Sequence, residues 1–341
     1  MKSFFSYIVL IAIFISAIKQ NVVAQDYHYT QFDQMEPMLN PAKTGMFRQY
    51  KYRAGAQFRN QWRSVATKPF TTFSLAYDMP LERWGVGAYL VNYDGAKIYN
   101  AFNFVLSGAY KITDPNQSKH LLTTGLQAGV IYKNTNNLDL LFDNQYSKGA
   151  FHEALPSAES FVKYSKTMPE FNFGVYYEYT DDTKRYHPYA GVSIFHITSP
   201  KESILVQSVE SKLPRRFAFN GGSKFNVTPK LDMDLKALYM MQGTARELAL
   251  GLLGAYKLNG QSIGSYKMKE QSSELFFGAN YRFNDAIGVI LGLRYDEVKY
   301  TVSYDITTST LKSVNGGKGA IEFSMIFQPR NGYRVRNRKK F

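Results

Sequence analysis

The chain has 341 residues and a formal charge of +14, with 26 Tyr, 25 Phe, two Trp and no Cys. The lack of Cys excludes a disulfide scaffold, a zinc-thiolate site and a catalytic cysteine, and 45% hydrophobic residues are more than a disordered chain carries. A helical membrane protein is disfavoured too, because the sequence holds a single long apolar run, at the extreme N-terminus.

That run sets the compartment. Lys2 gives a positive start, residues 4–17 are apolar, and Val22, Val23 and Ala24 precede Gln25 and Asp26. This reads as a secretory signal peptide over residues 1–24, removed near Ala24 or Gln25. An N-terminal membrane anchor is the alternative, but the run is shorter than the roughly 20 residues that spanning requires. Export agrees with the missing thiols, since an oxidising space penalises a free cysteine. Residues 25–46 then form an N-terminal segment, either periplasmic or luminal.

From residue 47 to 328 the sequence alternates with period 2, the mark of strands whose two faces meet different surroundings. Tyr50, Tyr52, Ala54, Ala56 and Phe58 share one face, and Lys51, Arg53, Gly55, Gln57 and Arg59 share the other. Leu231, Met233, Leu235, Ala237 and Tyr239 stand opposite Asp232, Asp234, Lys236 and Leu238 in the same way. About fourteen such segments occur, near 47–58, 69–78, 83–93, 98–111, 119–132, 168–180, 187–197, 214–227, 230–241, 246–259, 273–284, 286–297, 298–308 and 317–328. Turn residues fill the gaps, as at Met79-Pro80, Asp94-Gly95, Asp114-Pro115-Asn116 and Asn315-Gly316-Gly317.

Two all-β arrangements fit this pattern. A soluble sandwich turns its apolar faces to a core; a bilayer barrel turns them to lipid and its polar faces to a lumen. The leader, the even strand count, and aromatics near strand ends such as Tyr110, Tyr132, Tyr239 and Phe327 favour the barrel. The expected fold is a transmembrane antiparallel up-and-down β-barrel of about fourteen strands, within a range of roughly 12 to 16. The longest connections, 133–167 and 198–213, then share the extracellular side, and the stretch 260–272 is long for a periplasmic turn.

Catalytic patterns reduce to decoys. Gly260, Ser262 and Gly264 match G-x-S-x-G, but a polar connection surrounds them where a nucleophile elbow needs a strand and a helix. His28, His120, His152, His187 and His196 show no paired metal spacing, and Glu153 and Glu159 do not form an acid/base pair. No catalytic residue, cofactor or metal is expected. The polar strand faces carry Arg53, Arg59, Arg63, Arg216, Lys224, Asp232, Asp234, Lys236, Arg294 and Glu322. In a barrel these charges pair across the lumen, meet a plug, or line a solvated wall. A basic tail follows over 329–341; in an exported protein it suits acidic lipid or a protein partner better than nucleic acid.

Several pieces of the sequence, in order along the chain, carry a family resemblance. Gln31-Phe32, Leu39-Asn40-Pro41-Ala42 and Gly45 precede Phe58-Arg59-Asn60-Gln61-Trp62. Gly125 to Gly129, Leu141-Phe142-Asp143-Asn144-Gln145, Ser193 to His196 with Pro200 to Ser203, Leu213-Pro214 with Arg216, and Ser303-Tyr304-Asp305 follow. Together they resemble the PorP/SprF family of outer-membrane proteins of the type IX secretion and gliding machinery of Bacteroidetes. The resemblance implies a non-enzymatic component that supports export or surface anchoring of large adhesin-like proteins. Its implied partners are outer-membrane lipid, cargo carrying a type IX C-terminal signal and other type IX components, with no nucleic acid. It draws attention to Asn40, Pro41, Arg59, Gln61, Trp62, Asp143, Gln145 and Asp305 as structural or partner-contact positions. Asn40-Pro41 would fix an N-terminal turn or luminal segment, and Trp62 with Arg59 would order the first loop. An outer-membrane pore or transporter for small or hydrophobic solutes is the alternative function.

Overall fold

A computed structural model describes residues 26–63, 68–96, 99–114, 119–135, 146–147, 150–152, 155, 165–181, 183–202, 212–258 and 273–330. The expected signal peptide, the G-x-S-x-G stretch, Asp143, Gln145 and most of the basic tail lie outside these residues.

Among the described residues, fourteen barrel strands run in chain order, with a two-residue pair, Tyr146–Ser147 and Ala150–Phe151, outside the barrel sheet: β1 (Arg53–Gln61), β2 (Phe70–Pro80), β3 (Trp84–Gly95), β4 (Tyr99–Lys111), β5 (His120–Thr135), β6 (Ser165–Tyr179) and β7 (Tyr186–Phe195). The second half holds β8 (Arg216–Thr228), β9 (Leu231–Gln242), β10 (Ala245–Lys257), β11 (Ser273–Arg282), β12 (Ala286–Tyr295), β13 (Val298–Thr307) and β14 (Lys318–Phe327). Every neighbouring pair is antiparallel, and β1 closes the sheet on β14 with Ala54 opposite Phe327 and Gln61 opposite Ala320. Closure satisfies the backbone groups that an open edge would leave in hydrocarbon, where each unpaired group costs several kcal/mol.

Each expected strand has a counterpart, but β1 starts at Arg53, six residues later than the alternation suggested. Tyr50 and Tyr52 extend the pattern, yet β14 ends at Phe327, and beyond it Tyr50 pairs with Arg330 in an isolated bridge. Pro329, which has no N–H to give a ladder, stands in that gap and accepts instead from Lys51 N–H at 2.8 Å.

The two faces separate as the alternation requires. On β2, Thr72, Ser74 and Asp78 are buried inside while Phe73, Leu75 and Tyr77 are exposed outside. On β12, Ile287, Val289, Leu291 and Leu293 form an exposed apolar row, and on β14 Ile321, Phe323 and Met325 do the same. Large apolar residues on the outer surface and Gln57, Thr123, Gln127, Asn172, Ser193, Asn220 and Asn280 buried inside invert the arrangement of a soluble sandwich.

The connections 136–164 and 196–215 open at the same mouth of the barrel, here called the loop mouth. Both ends of the barrel chain, at Arg53 and Phe327, lie at the opposite mouth, together with the 258–272 connection.

Candidate functional site

Residues 26–45 thread the lumen. Asp26 lies at the loop mouth, where its backbone N–H donates to Gln242 Oε1 at 2.9 Å. Gly45 lies at the other mouth, where its N–H donates to Asp78 Oδ2 at 2.7 Å. Between them the segment makes one helical turn, Glu36–Leu39, and one 3-10 turn, Pro41–Lys43. Asn40 joins the two turns: its backbone is extended, its Oδ1 accepts from Ala42 N–H at 2.9 Å, and Pro41 supplies the fixed φ suited to the next turn.

An irregular segment inside a barrel must find partners for its peptide groups, and the wall side chains provide them. Thr30 and Gln31 N–H donate to the two carboxylate oxygens of Glu322, at 2.6 and 3.0 Å. Gln127 Nε2 donates to Pro37 O at 2.7 Å, Ser193 Oγ to Leu39 O at 3.0 Å, and Thr123 Oγ1 to Ala42 O at 2.8 Å. Asn40 Nδ2 donates to Val175 O at 3.1 Å. Three different strands, β5, β7 and β14, therefore bond this stretch of backbone, and a fourth, β6, takes the Asn40 side chain.

Charge pairing locks the same contacts. Arg59 on β1 faces Glu322 on β14 directly across the closing seam and bonds its carboxylate. Arg59 Nη2 also reaches Asp305 Oδ2 at 3.1 Å, Arg282 Nη2 meets that oxygen at 3.0 Å, and Thr30 Oγ1 donates to Asp305 Oδ1 at 2.5 Å. The β13–β14 register shifts between Tyr304 and Ile306, where Gly319 and Ala320 of β14 bulge opposite Asp305, whose carboxylate reaches this cluster. Further along, Lys236 Nζ binds Asp33 at 2.6 Å, while Arg53 bridges Glu36 at 2.9 Å and Asp78 at 2.6 Å. Removing one partner of such a buried pair costs on the order of 3–5 kcal/mol, because the other charge is stranded.

Close approach requires missing side chains on the wall. A Cβ placed on Gly125 would lie 2.3 Å from the Pro41 carbonyl carbon, and one on Gly85 would lie 1.9 Å from Thr44 O. Both positions face the lumen at the segment, where glycine lets two backbones meet. One cavity left between segment and wall, bordered by Tyr27, His28, Met38, Arg216 and Leu238, has about 50 Å³, room for a few waters.

The structure brings Asn40, Pro41, Arg59 and Asp305 into the lumen, all buried. Gln61 accepts from Arg59 Nε at 3.2 Å. Trp62 takes no part in the cluster: it has φ of 60° and packs edge-on against Phe70 at 5.0 Å between ring centroids. Arg59 bonds Thr30, Asp305 and Glu322 in the lumen, while the Trp62 ring meets Phe70. Asp143 and Gln145 lie outside the described residues. Sequence reasoning missed Thr30, Asn280 and Arg282, and met Gln31 and His196 only within longer pieces of the family resemblance. Their types do not distinguish a luminal contact from a loop, although inward-facing glycines on neighbouring strands mark where a second backbone passes. Among the described residues no group of three or more His, Asp or Glu could hold a metal ion.

His196, one residue beyond β7, ties the start of the segment to the rim. Its Nε2 contacts Asp26 and its Nδ1 contacts Glu170, both at 2.7 Å, while Arg216 binds Asp26 at 3.0 Å. Burial pushes the imidazole pKa down, but the Asp26 and Glu170 carboxylates outweigh it and raise it to about 9. A raised folded-state pKa means that the stabilisation is complete below the ordinary value of 6.5 and is lost as pH rises through about 9. Amide exchange of residues 26–31, corrected for intrinsic rates, should therefore speed up between about pH 7 and about pH 10, and His196→Gln should abolish that step. Gly125→Val should expel the segment while the barrel still closes, so that protease cuts within 26–45 although heat-modifiable gel mobility persists. Gly108→Val, where an added Cβ meets nothing within 4 Å, should leave the segment protected.

A comparison with known families matches residues 21–327 to the one described as type IX secretion system membrane protein PorP/SprF. No curated protein matches the chain. Similar solved structures include the Ralstonia pickettii toluene transporter TbuX, at 11% identity and TM-score 0.48, covering 86% of this chain and 92% of that one. The CymD monoaromatic hydrocarbon channel has 12% identity and TM-score 0.48, covering 88% and 94%. The Pseudomonas putida toluene transporter TodX has 9% identity and TM-score 0.47, covering 86% and 92%. The match over most of the chain, on a closed barrel of fourteen antiparallel strands, means that the chain belongs to the PorP/SprF family of type IX secretion system membrane proteins.

Proposed function

We propose that this barrel sits in the outer membrane after removal of its leader and acts without catalysis. In this reading it supports the export or surface anchoring of large adhesin-like proteins that carry a type IX C-terminal signal, together with other components of the secretion system. The observation that carries the reading is the filled lumen. Residues 26–45 occupy the barrel interior and are bonded to the wall from one mouth to the other. An interior filled in this way suits a scaffold that works through its mouths and outer wall better than a conduit for solutes.

Deletion of the protein followed by proteomics of the secreted and surface fractions tests this function. The expected result is specific loss of adhesin-like proteins from the surface; unchanged surface and secreted fractions would overturn it. Purified barrel in planar bilayers should show no steady conductance. A stable, solute-selective open pore would favour a transporter for small or hydrophobic solutes instead.

A further inference from the structure

The outer wall carries a basic cleft at the loop mouth that the luminal segment does not use. It has a volume of about 580 Å³ and is lined by Lys212, Arg215 and Arg246 together with Ser199, Phe217 and Met241, with no carboxylate among its lining residues. Phe217, Met241 and Arg246 are neighbours in register on β8, β9 and β10. They share the outward parity, since the adjacent Ala218 and Gln242 are buried inside.

Backbone carbonyls aim two of the cations. Arg215 Nε donates to Ile197 O at 2.9 Å, and Arg246 Nη1 donates to Gly243 O and Ala245 O, both at 2.8 Å. Among the described residues neither guanidinium nor Lys212 has a carboxylate partner. Each keeps donors free for an external anion, and two guanidiniums suit the geometry of phosphate oxygens.

The cleft's apolar side identifies the kind of anion. Two residues further from the rim, about 7 Å at strand spacing, Phe219, Tyr239 and Leu248 form the next outward row. Phe219 and Tyr239 lie 6.3 Å apart between ring centroids. Cations thus sit above an apolar surface that faces the bilayer, with a charged tier and a hydrocarbon tier in the order an amphiphile presents them. We propose that this cleft binds the phosphate-bearing headgroup of a membrane lipid whose acyl chains lie along Phe219, Tyr239 and Leu248. The inference goes beyond the secretion reading and needs only the membrane-embedded barrel.

Native mass spectrometry of the purified full-length barrel in detergent tests it, with phosphatidic acid, phosphatidylcholine and inorganic phosphate as probes. The expected result is retention of phosphatidic acid over phosphatidylcholine, little binding of inorganic phosphate, and affinity that falls about fivefold for each cation removed in Lys212→Gln, Arg215→Gln and Arg246→Gln. Lys230→Gln, at the opposite mouth, should change nothing. Equal retention of both lipids, or inorganic phosphate binding as tightly as phosphatidic acid, would overturn the proposal. If the combined variant does not fold, a photoreactive residue at Phe217 in the otherwise native chain should capture phosphatidic acid in preference to phosphatidylcholine; equal capture would overturn it. These assays contain no cargo, so failure of cargo export in cells and failure of lipid binding are separate outcomes.

Discussion

Arg59 and Glu322 face each other across the seam where the first and last strands meet, and neither charge can be left alone inside the barrel. Their pairing sets much of what surrounds them. Glu322 still has acceptor capacity after meeting Arg59 and takes the N–H groups of Thr30 and Gln31. Arg59 still has donors and reaches Asp305, which stands opposite the bulge on β14 and which Arg282 also binds. One cluster therefore connects barrel closure to the course of the luminal segment. Loss of any member strands the others in a poorly hydrated interior.

The segment and the barrel explain each other. A barrel of about fourteen strands is too wide for its own wall side chains to fill, so its interior must hold water or additional chain. Additional chain brings unpaired peptide groups, and the wall answers with Gln127, Ser193, Thr123 and Glu322, each aimed at a particular backbone atom. Glycine at positions such as 85 and 125 removes the side chains that would hold the two backbones apart. The outside obeys a simpler rule, since lipid asks only for apolar surface, with cations confined to the rim.

The strands were legible because period 2 survives wherever the two faces meet different solvents. The same rule extended β1 too far, because Tyr50 and Tyr52 keep the alternation where β14 has already ended and Pro329 cannot continue the ladder. Of the candidate positions, Asn40 and Pro41 signalled a turn through their residue types. Arg59 stood out as a charge on a strand face that alternates with apolar residues, whereas Asp305 is marked only by the family resemblance. Their meeting was not legible, since it depends on β1 closing against β14, across 263 residues in the Arg59–Glu322 pair. Thr30, Gln31 and His196 resemble ordinary loop residues until the wall around them is known.

The central claim is that the N-terminal segment lies bonded inside the barrel, and cysteine cross-linking tests it most directly. The native chain has no Cys, so an introduced pair reports without background. A Cβ placed on Gly288 would lie 3.7 Å from Thr30 Cβ, within the usual disulfide separation of about 3.5–4.5 Å. Thr30→Cys combined with Gly288→Cys should form a disulfide in the folded, membrane-inserted protein, joining the N-terminal and C-terminal peptides after proteolysis. Two reduced thiols that both react quickly with a water-soluble reagent, in a barrel that retains its heat-modifiable mobility, would contradict the account.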